Sequence, residues 1–266
     1  MQLNISKNIE ELNWQVAEWV VSYVSETLQK QNRFTIVLSG GSTPKKLYSL
    51  LATNEFKNRI DWEKMHVFWG DERYVPFDDE RNNAKMAFNT LLNFVPVPNN
   101  QVHIIRTDIE PEASAAEYES TLTNYFPEAA QLRSVSGQLM TDSSDRQMAE
   151  RAEQLATFDL TLLGLGDNAH TLSLFPGEDL IHERTCWVKS VFVREVNMQR
   201  ITLTAPVTNL SRAVAFLVAG EDKADAVSHV LLNEYAPDLY PAQVIKPVNG
   251  ELYWFLDEAA ALRLKK

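Results

Sequence analysis

Leu160-Thr161-Leu162-Leu163-Gly164-Leu165-Gly166-Asp167-Asn168-Ala169-His170-Thr171 is the stretch on which the reading of this chain turns. A short apolar run flows into a polar, glycine-bearing loop, as when a buried strand of a parallel sheet delivers its carboxyl end to solvent. The same form recurs on either side of it. Apolar runs at 34–38, 65–69, 214–218 and 252–255 read as buried strands, and amphipathic patterns at 14–28, 44–51, 83–92, 111–125 and 222–232 read as helices between them. Alternation of this kind predicts an α/β fold with a layered, mostly parallel sheet flanked by helices.

A chain of 266 residues, 45% of them apolar, can bury one large core, and we read residues 1–266 as a single domain. Residues 131–157 form a polar insertion in it, the first half an exposed loop and residues 145–155 a surface helix. No stretch approaches the ~18 apolar residues of a membrane span, and the first seven residues lack the pattern of an export signal. The single cysteine, Cys186, cannot form an internal disulfide, so a reducing, cytoplasmic setting is expected. No Cys/His spacing suggests a structural metal. A net charge of −11 opposes nucleic-acid binding, which needs clustered cations, but leaves room for a small anion in a locally positive pocket.

In open parallel sheets ligands sit beyond the carboxyl ends of the strands. Three such ends carry unusual residues. After 34–38 comes Ser39-Gly40-Gly41-Ser42-Thr43-Pro44, with Thr43 placed as N-cap and Pro44 at the first helical position. Backbone N–H groups at Gly41, Ser42 and Thr43, their hydroxyls and the helix dipole suit a phosphate; a tight turn that merely needs glycine is the plainer alternative. After 65–69 comes Gly70-Asp71-Glu72-Arg73, where Arg73 can fork onto a phosphate or a developing oxyanion and Asp71 can accept from sugar hydroxyls or orient Arg73. The third end carries His170. An imidazole with an ordinary pKa of about 6.5 can take a proton from water near neutral pH and return it. The other histidines, at 66, 103, 182 and 229, fall in strand, helical or loop surroundings less suited to the task.

Taken in order, these segments resemble the 6-phosphogluconolactonase family over nearly the whole chain. The resemblance rests on 39–44, on Trp69-Gly70-Asp71-Glu72-Arg73, on Asp78-Asp79 with Asn83 and Met86-Ala87, and on His170-Thr171-Leu172-Ser173-Leu174-Phe175-Pro176. It continues through Arg200-Ile201-Thr202-Leu203-Thr204, Gly220-Glu221-Asp222-Lys223-Ala224, Pro241-Ala242 and 252–257. It implies a Rossmann-like fold of the phosphosugar isomerase/deaminase type and cofactor-free hydrolysis of 6-phosphoglucono-δ-lactone to 6-phosphogluconate in the oxidative pentose phosphate pathway, by a monomer or small homo-oligomer. By position His170 is the general base for water, Arg73 contacts the phosphate or carbonyl end, Arg200 and Lys223 are phosphate candidates, and the turn at 41–43 completes the anion site. The chemistry suits those residues, because water attacking a lactone needs only a base and oxyanion donors. The chain departs from the family where Asn168-Ala169 replace Asp-Gly, where Leu172 replaces Ala, and where a Lys-Pro-Pro pattern before Arg200 is missing, with Arg194 as a stand-in. Asn168, also expected to touch substrate, cannot supply the negative charge that raises an imidazole pKa; Asp167 is a candidate to compensate.

Two other readings share these motifs. A glucosamine-6-phosphate deaminase would carry a Phe-Asn-Glu-Pro pattern after the histidine, whereas Ser173-Leu174-Phe175-Pro176 offers no glutamate. A non-catalytic sugar-phosphate-binding module would explain Asn168-Ala169 but not the retained base and cations.

Overall fold

The computed structural model describes residues 1–135 and 156–264. Six parallel strands make the main sheet: β1 (Gln2–Ser6), β2 (Phe34–Leu38), β3 (Met65–Trp69), β5 (Leu160–Leu163), β8 (Ala213–Val218) and β9 (Glu251–Asp257), in the order β1-β9-β8-β5-β2-β3. The chain steps outward from β2 to β3 and later returns on the other side of β2 with β5, so the order reverses between β2 and β5. A crevice opens at such a reversal because the connections on its two sides diverge.

Both strands at the reversal are held by more than their ladder. Asp159, 4% exposed at the threshold of β5, accepts from the Thr35 backbone N–H and hydroxyl of β2, both at 2.8 Å. Burial raises its pKa, and those donors oppose the rise. Leu160, Leu162 and Leu163 of β5 are fully buried in a core that also takes in Trp69, Phe216 and Trp254, the last two stacked with centroids 4.1 Å apart. Each such aliphatic side chain contributes about 1.5–3 kcal/mol by leaving water. The run after Leu163 is therefore presented from a rigid floor.

Helices cover the faces: α1 (Ile9–Leu28), α2 (Ser42–Leu51), α3 (Asn83–Thr90), α4 (Pro111–Tyr125), α5 (Pro127–Val135) and α6 (Ala224–Leu232). The five expected helices are present, α4 with the expected ends and the other four with altered ones. α1 starts at Ile9 because Asn8 caps it, its side chain accepting from the Glu11 N–H, while the Glu11 carboxylate accepts from the Lys7 N–H. α6 begins at Ala224, and the residues before it form a 3-10 turn, Glu221–Lys223. α5 carries helix through residues 131–135, where an exposed loop was expected; the helix expected at 145–155 lies outside the described residues.

A second, antiparallel sheet of three strands, β4 (Asp71–Arg73), β7 (Met198–Leu203) and β6 (Val188–Val193), stands beyond the carboxyl end of β3. Gly70 joins the two sheets, donating its N–H to Leu38 of β2 and accepting from the Leu203 N–H of β7. Charged β4 and half-exposed β6 carry no apolar run, which is why the pattern of buried strands did not include them. Among the described residues no helix is long and apolar enough to cross a membrane.

Candidate active site

A cavity of about 390 Å³ lies over the reversal point, walled by the loops after β2, β5 and β8 and by the second sheet. It brings together Gly41, Ser42, Thr43, Asp71, Arg73, His170, Arg200 and Lys223 from several separate elements and loops. A larger hollow of about 740 Å³ lies elsewhere, between Phe77, Ile104 and Tyr118. Among the described residues its one cation is Arg106, which is already paired with Asp108 and Glu117.

The turn after β2 runs straight into α2, which begins at Ser42 with Gly41 as its N-cap. Thr43 is therefore inside the first turn and not the cap, a correction that follows from Gly41 adopting φ +108°, a left-handed conformation open to glycine. No side chain caps this end, so the first amides of a ten-residue helix face the cavity with their dipole behind them. The buried Tyr48 hydroxyl braces the turn from below, accepting from the Ser39 N–H at 2.8 Å and donating to the Ser39 carbonyl at 2.9 Å.

β4 and β7 place Arg73 directly opposite Arg200. Like charges in that register repel, and among the described residues the Nε of each guanidinium is buried without a hydrogen-bond partner. An anion would satisfy both. Arg73 also donates through Nη1 to the Arg81 carbonyl at 2.9 Å, and burial lowers the pKa of Arg200. Asp71 faces Arg200 at 3.6 Å and not Arg73, which corrects the expected pairing. It also accepts from Ser173 Oγ at 2.8 Å and lies 7% exposed, so little of it is left to meet a sugar hydroxyl. Glu72 points the other way. It accepts three backbone N–H groups, from Arg73, Asn83 and Ala84, and locks β4 to the start of α3, although burial pushes its pKa up to about 7.

His170 hangs from the loop after β5 with its ring stacked on Phe175, centroids 3.9 Å apart and planes 14° from parallel. A Cβ on Gly166 would collide with that ring, which explains a glycine there. Two residues of the loop hold left-handed backbone without being glycine, Ala169 at φ +64° and Leu172 at φ +54°. Such conformations cost about 1–2 kcal/mol each and persist where surrounding structure imposes them. Asn168 does not line the cavity. Its Oδ1 lies 2.5 Å from His170 Nδ1, and its Nδ2 donates to both carboxylate oxygens of Glu195 at 2.7 and 2.9 Å. Asn168 was expected at the substrate, and here its side chain meets the imidazole.

Desolvation lowers the His170 pKa to about 4; Asp71 and Asp167 oppose the shift, while Arg200 and Lys223 add to it. The expectation of an ordinary histidine titrating near neutrality is corrected accordingly. At pH 7 the ring is neutral, and Nδ1 facing an amide oxygen must carry the proton, which leaves Nε2 with a lone pair. Lys223 lines the cavity from the 3-10 turn before α6 and is held by Asp222 at 3.1 Å. Arg194, the expected stand-in, lies outside the cavity wall, whereas Val196 beside it is part of that wall. The sequence reading missed Ser173, Phe175, Glu195 and Val196 as parts of the site. Ser173, a polar residue inside an apolar stretch, was the one visible hint. Among the described residues no group of three or more His, Cys, Asp or Glu side chains is placed to hold a metal ion.

Comparison with known proteins agrees in fold and in sequence. Residues 7–254 match the profile of the family described as glucosamine-6-phosphate isomerases/6-phosphogluconolactonase. The chain is 37% identical over 248 residues to the 6-phosphogluconolactonase of Synechocystis, covering 92% of this chain and 91% of that protein. It superposes on the 6-phosphogluconolactonase of Trypanosoma brucei with a TM-score of 0.77 and 26% identity, covering 99% and 98% of the two chains. A monomeric glucosamine-6-phosphate deaminase has the same fold at a TM-score of 0.75, with 17% identity and 98% and 99% coverage.

Proposed function

Given that the chain belongs to the glucosamine-6-phosphate isomerase/6-phosphogluconolactonase family, we propose that it hydrolyses 6-phospho-D-glucono-1,5-lactone to 6-phosphogluconate in the pentose phosphate pathway. The observation that carries this choice within the family is the part-buried imidazole of His170, its Nδ1 against the Asn168 amide oxygen, in a cavity that it shares with Arg73, Arg200 and Lys223.

In this reading His170 Nε2 takes a proton from a water that attacks the lactone carbonyl. The ring oxygen leaves when the tetrahedral adduct collapses, and the proton on Nε2 returns to it. Arg73 and Arg200 meet the oxyanion, with Asp71 holding Arg200 in place. Lys223 and the N–H groups at Gly41, Ser42 and Thr43 take the phosphate. Phosphate binding brings a dianion toward His170, which raises its pKa from the low value of the free protein and makes it a stronger base when substrate is bound. The deaminase reading shares the fold, but among the described residues Asp71 and Asp222 are the carboxylates that line this cavity, and Asp222 is paired with Lys223.

We read the chain as one domain acting as a monomer or small homo-oligomer in the cytoplasm, supported by one continuous core among the described residues and by the single cysteine. The charge of −11 argues against nucleic acid as partner, and Arg73, Arg200 and Lys223 in the cavity support a small phosphosugar. The test is turnover of freshly generated 6-phosphogluconolactone above its spontaneous rate, alongside ammonia release from glucosamine 6-phosphate. Ammonia release without lactone turnover would replace this reading with the deaminase; neither activity would favour a binding module.

A further inference from the structure

We propose that Glu195, an exposed residue at the tip of the hairpin between β6 and β7, is a positioning residue for His170: it holds the Asn168 amide in the rotation that leaves Nε2 of the imidazole free. The catalytic meaning rests on the function proposed above, but the positioning does not.

Asparagine is two-faced as a neighbour. Its amide can present either an acceptor or a donor, and its surroundings decide which. If Oδ1 faces His170 Nδ1, the ring must carry its proton there and Nε2 is a base. If the amide turns over, Nδ2 donates to Nδ1, the proton moves to Nε2, and the ring cannot take a proton from water. An aspartate at this position would accept in either rotation and would face no such choice. Asn168 faces it.

Glu195 settles the choice because a carboxylate only accepts. Both of its oxygens lie within hydrogen-bond distance of Asn168 Nδ2, so the amide nitrogen is turned outward and Oδ1 inward. The His170 backbone N–H, 3.1 Å from Oδ1, favours the same rotation more weakly. Other freedoms of the ring are already removed, since Phe175 stacks on one face and the space at Gly166 admits no side chain. The charged groups that face His170 are Asp71, Arg200, Lys223 and Asp167, and Glu195 reaches it through Asn168. Glu195 comes from the second sheet while Asn168 follows β5 of the main sheet, so the contact also fixes the hairpin, with Val196 in the cavity wall, against the catalytic loop.

The test compares Glu195→Gln, Glu195→Ala and Glu195→Lys by ¹⁵N NMR of His170, which reports the tautomer, and by kcat and KM for the phosphorylated lactone. Glutamine can still accept from Nδ2 and should stay within about twofold of the parent in kcat, with the Nδ1-protonated signature intact. Alanine should lower kcat about three- to tenfold, the worth of one hydrogen bond, with KM little changed and a mixed tautomer. Lysine, a donor only, should favour the opposite rotation and give the largest loss. An unchanged tautomer in both Glu195→Ala and Glu195→Lys would overturn the proposal, whether or not activity falls, because the residue would then act only on the hairpin. Should the parent protein fail to hydrolyse the lactone, the function fails, yet the tautomer in the three variants still decides the role of Glu195.

Discussion

The pH dependence of catalysis should betray the burial of His170. An ordinary histidine would give a limb in kcat/KM near pH 6.5, whereas here desolvation places the free protein's imidazole at about 4, with Asp71 and Asp167 pulling upward against Arg200 and Lys223. Because kcat/KM reports the free enzyme, its acid limb should lie between about pH 4 and 5, well below neutrality. The limb in kcat reports the complex, and the phosphate dianion should move it to higher pH than the limb in kcat/KM. Asp71→Asn removes the larger upward influence and should push the kcat/KM limb lower still. The same displacement acts on stability. The unfolded chain binds a proton at His170 below about 6.5 and the folded one only below about 4, so this contribution is fully present above pH 6.5 and is lost as pH falls to 4. On the order of 3 kcal/mol is involved, because each tenfold change in proton affinity is worth about 1.4 kcal/mol. Initial rates from about pH 3.5 to 8 in a non-interacting buffer series, with spontaneous hydrolysis subtracted and folding checked by circular dichroism at each pH, measure both limbs. A limb near 6.5 that disappears in His170→Ala, or a limb between about pH 4 and 5 that survives in it, would refute the reasoning; a limb near about 6 common to both proteins belongs to the second ionisation of the substrate phosphate.

Three further outcomes are expected. Lys223→Ala should lower kcat/KM for the phosphorylated lactone about ten- to a hundredfold and leave any turnover of the unphosphorylated lactone nearly unchanged, since it removes one charge-assisted contact; equal losses on both would place Lys223 at the carbonyl or in the scaffold. Ala169→Gly should stabilise the fold by up to about 1 kcal/mol in thermal or urea unfolding, because relief of the left-handed strain exceeds the entropy of the added glycine, and a clear loss of stability would show that the Ala169 methyl is worth more in the core than its strain. Leu162→Ala, at a fully buried position of the central strand β5, should cost about 2–5 kcal/mol in urea unfolding, and a cost under about 1 kcal/mol would mean that the floor of the site collapses around the cavity.

The layered parallel sheet was legible because its central strands are fully buried and read as apolar runs, as at 34–38 and 214–218. Strand ends also pointed to the cavity, since His170, Arg73 and Lys223 each follow such a run. What stayed hidden lies in the second sheet. Asp71–Arg73 is a strand of three charged residues, and its register opposite Arg200 depends on a partner more than a hundred residues away. No local pattern announces a pairing of that kind. Glu195 was hidden for a related reason: it is an ordinary exposed glutamate in a turn until the hairpin carries it to Asn168, 27 residues earlier in the chain. Thr43 was misplaced because Thr-Pro is a strong helix-start signal, which the left-handed Gly41 overrode by opening the helix earlier. The ordinary pKa assumed for His170 failed because a loop position reads as solvent in sequence, whereas stacking on Phe175 removes water from the ring.

Whether His170 is the base in lactone hydrolysis is decided by kcat of His170→Ala for freshly generated 6-phosphogluconolactone. General base catalysis contributes on the order of a hundred- to ten-thousandfold, so the folded variant should lose at least ~99% of the enzymatic rate while retaining affinity for the phosphorylated product. A folded His170→Ala protein that keeps more than about a third of the parent kcat would contradict that role.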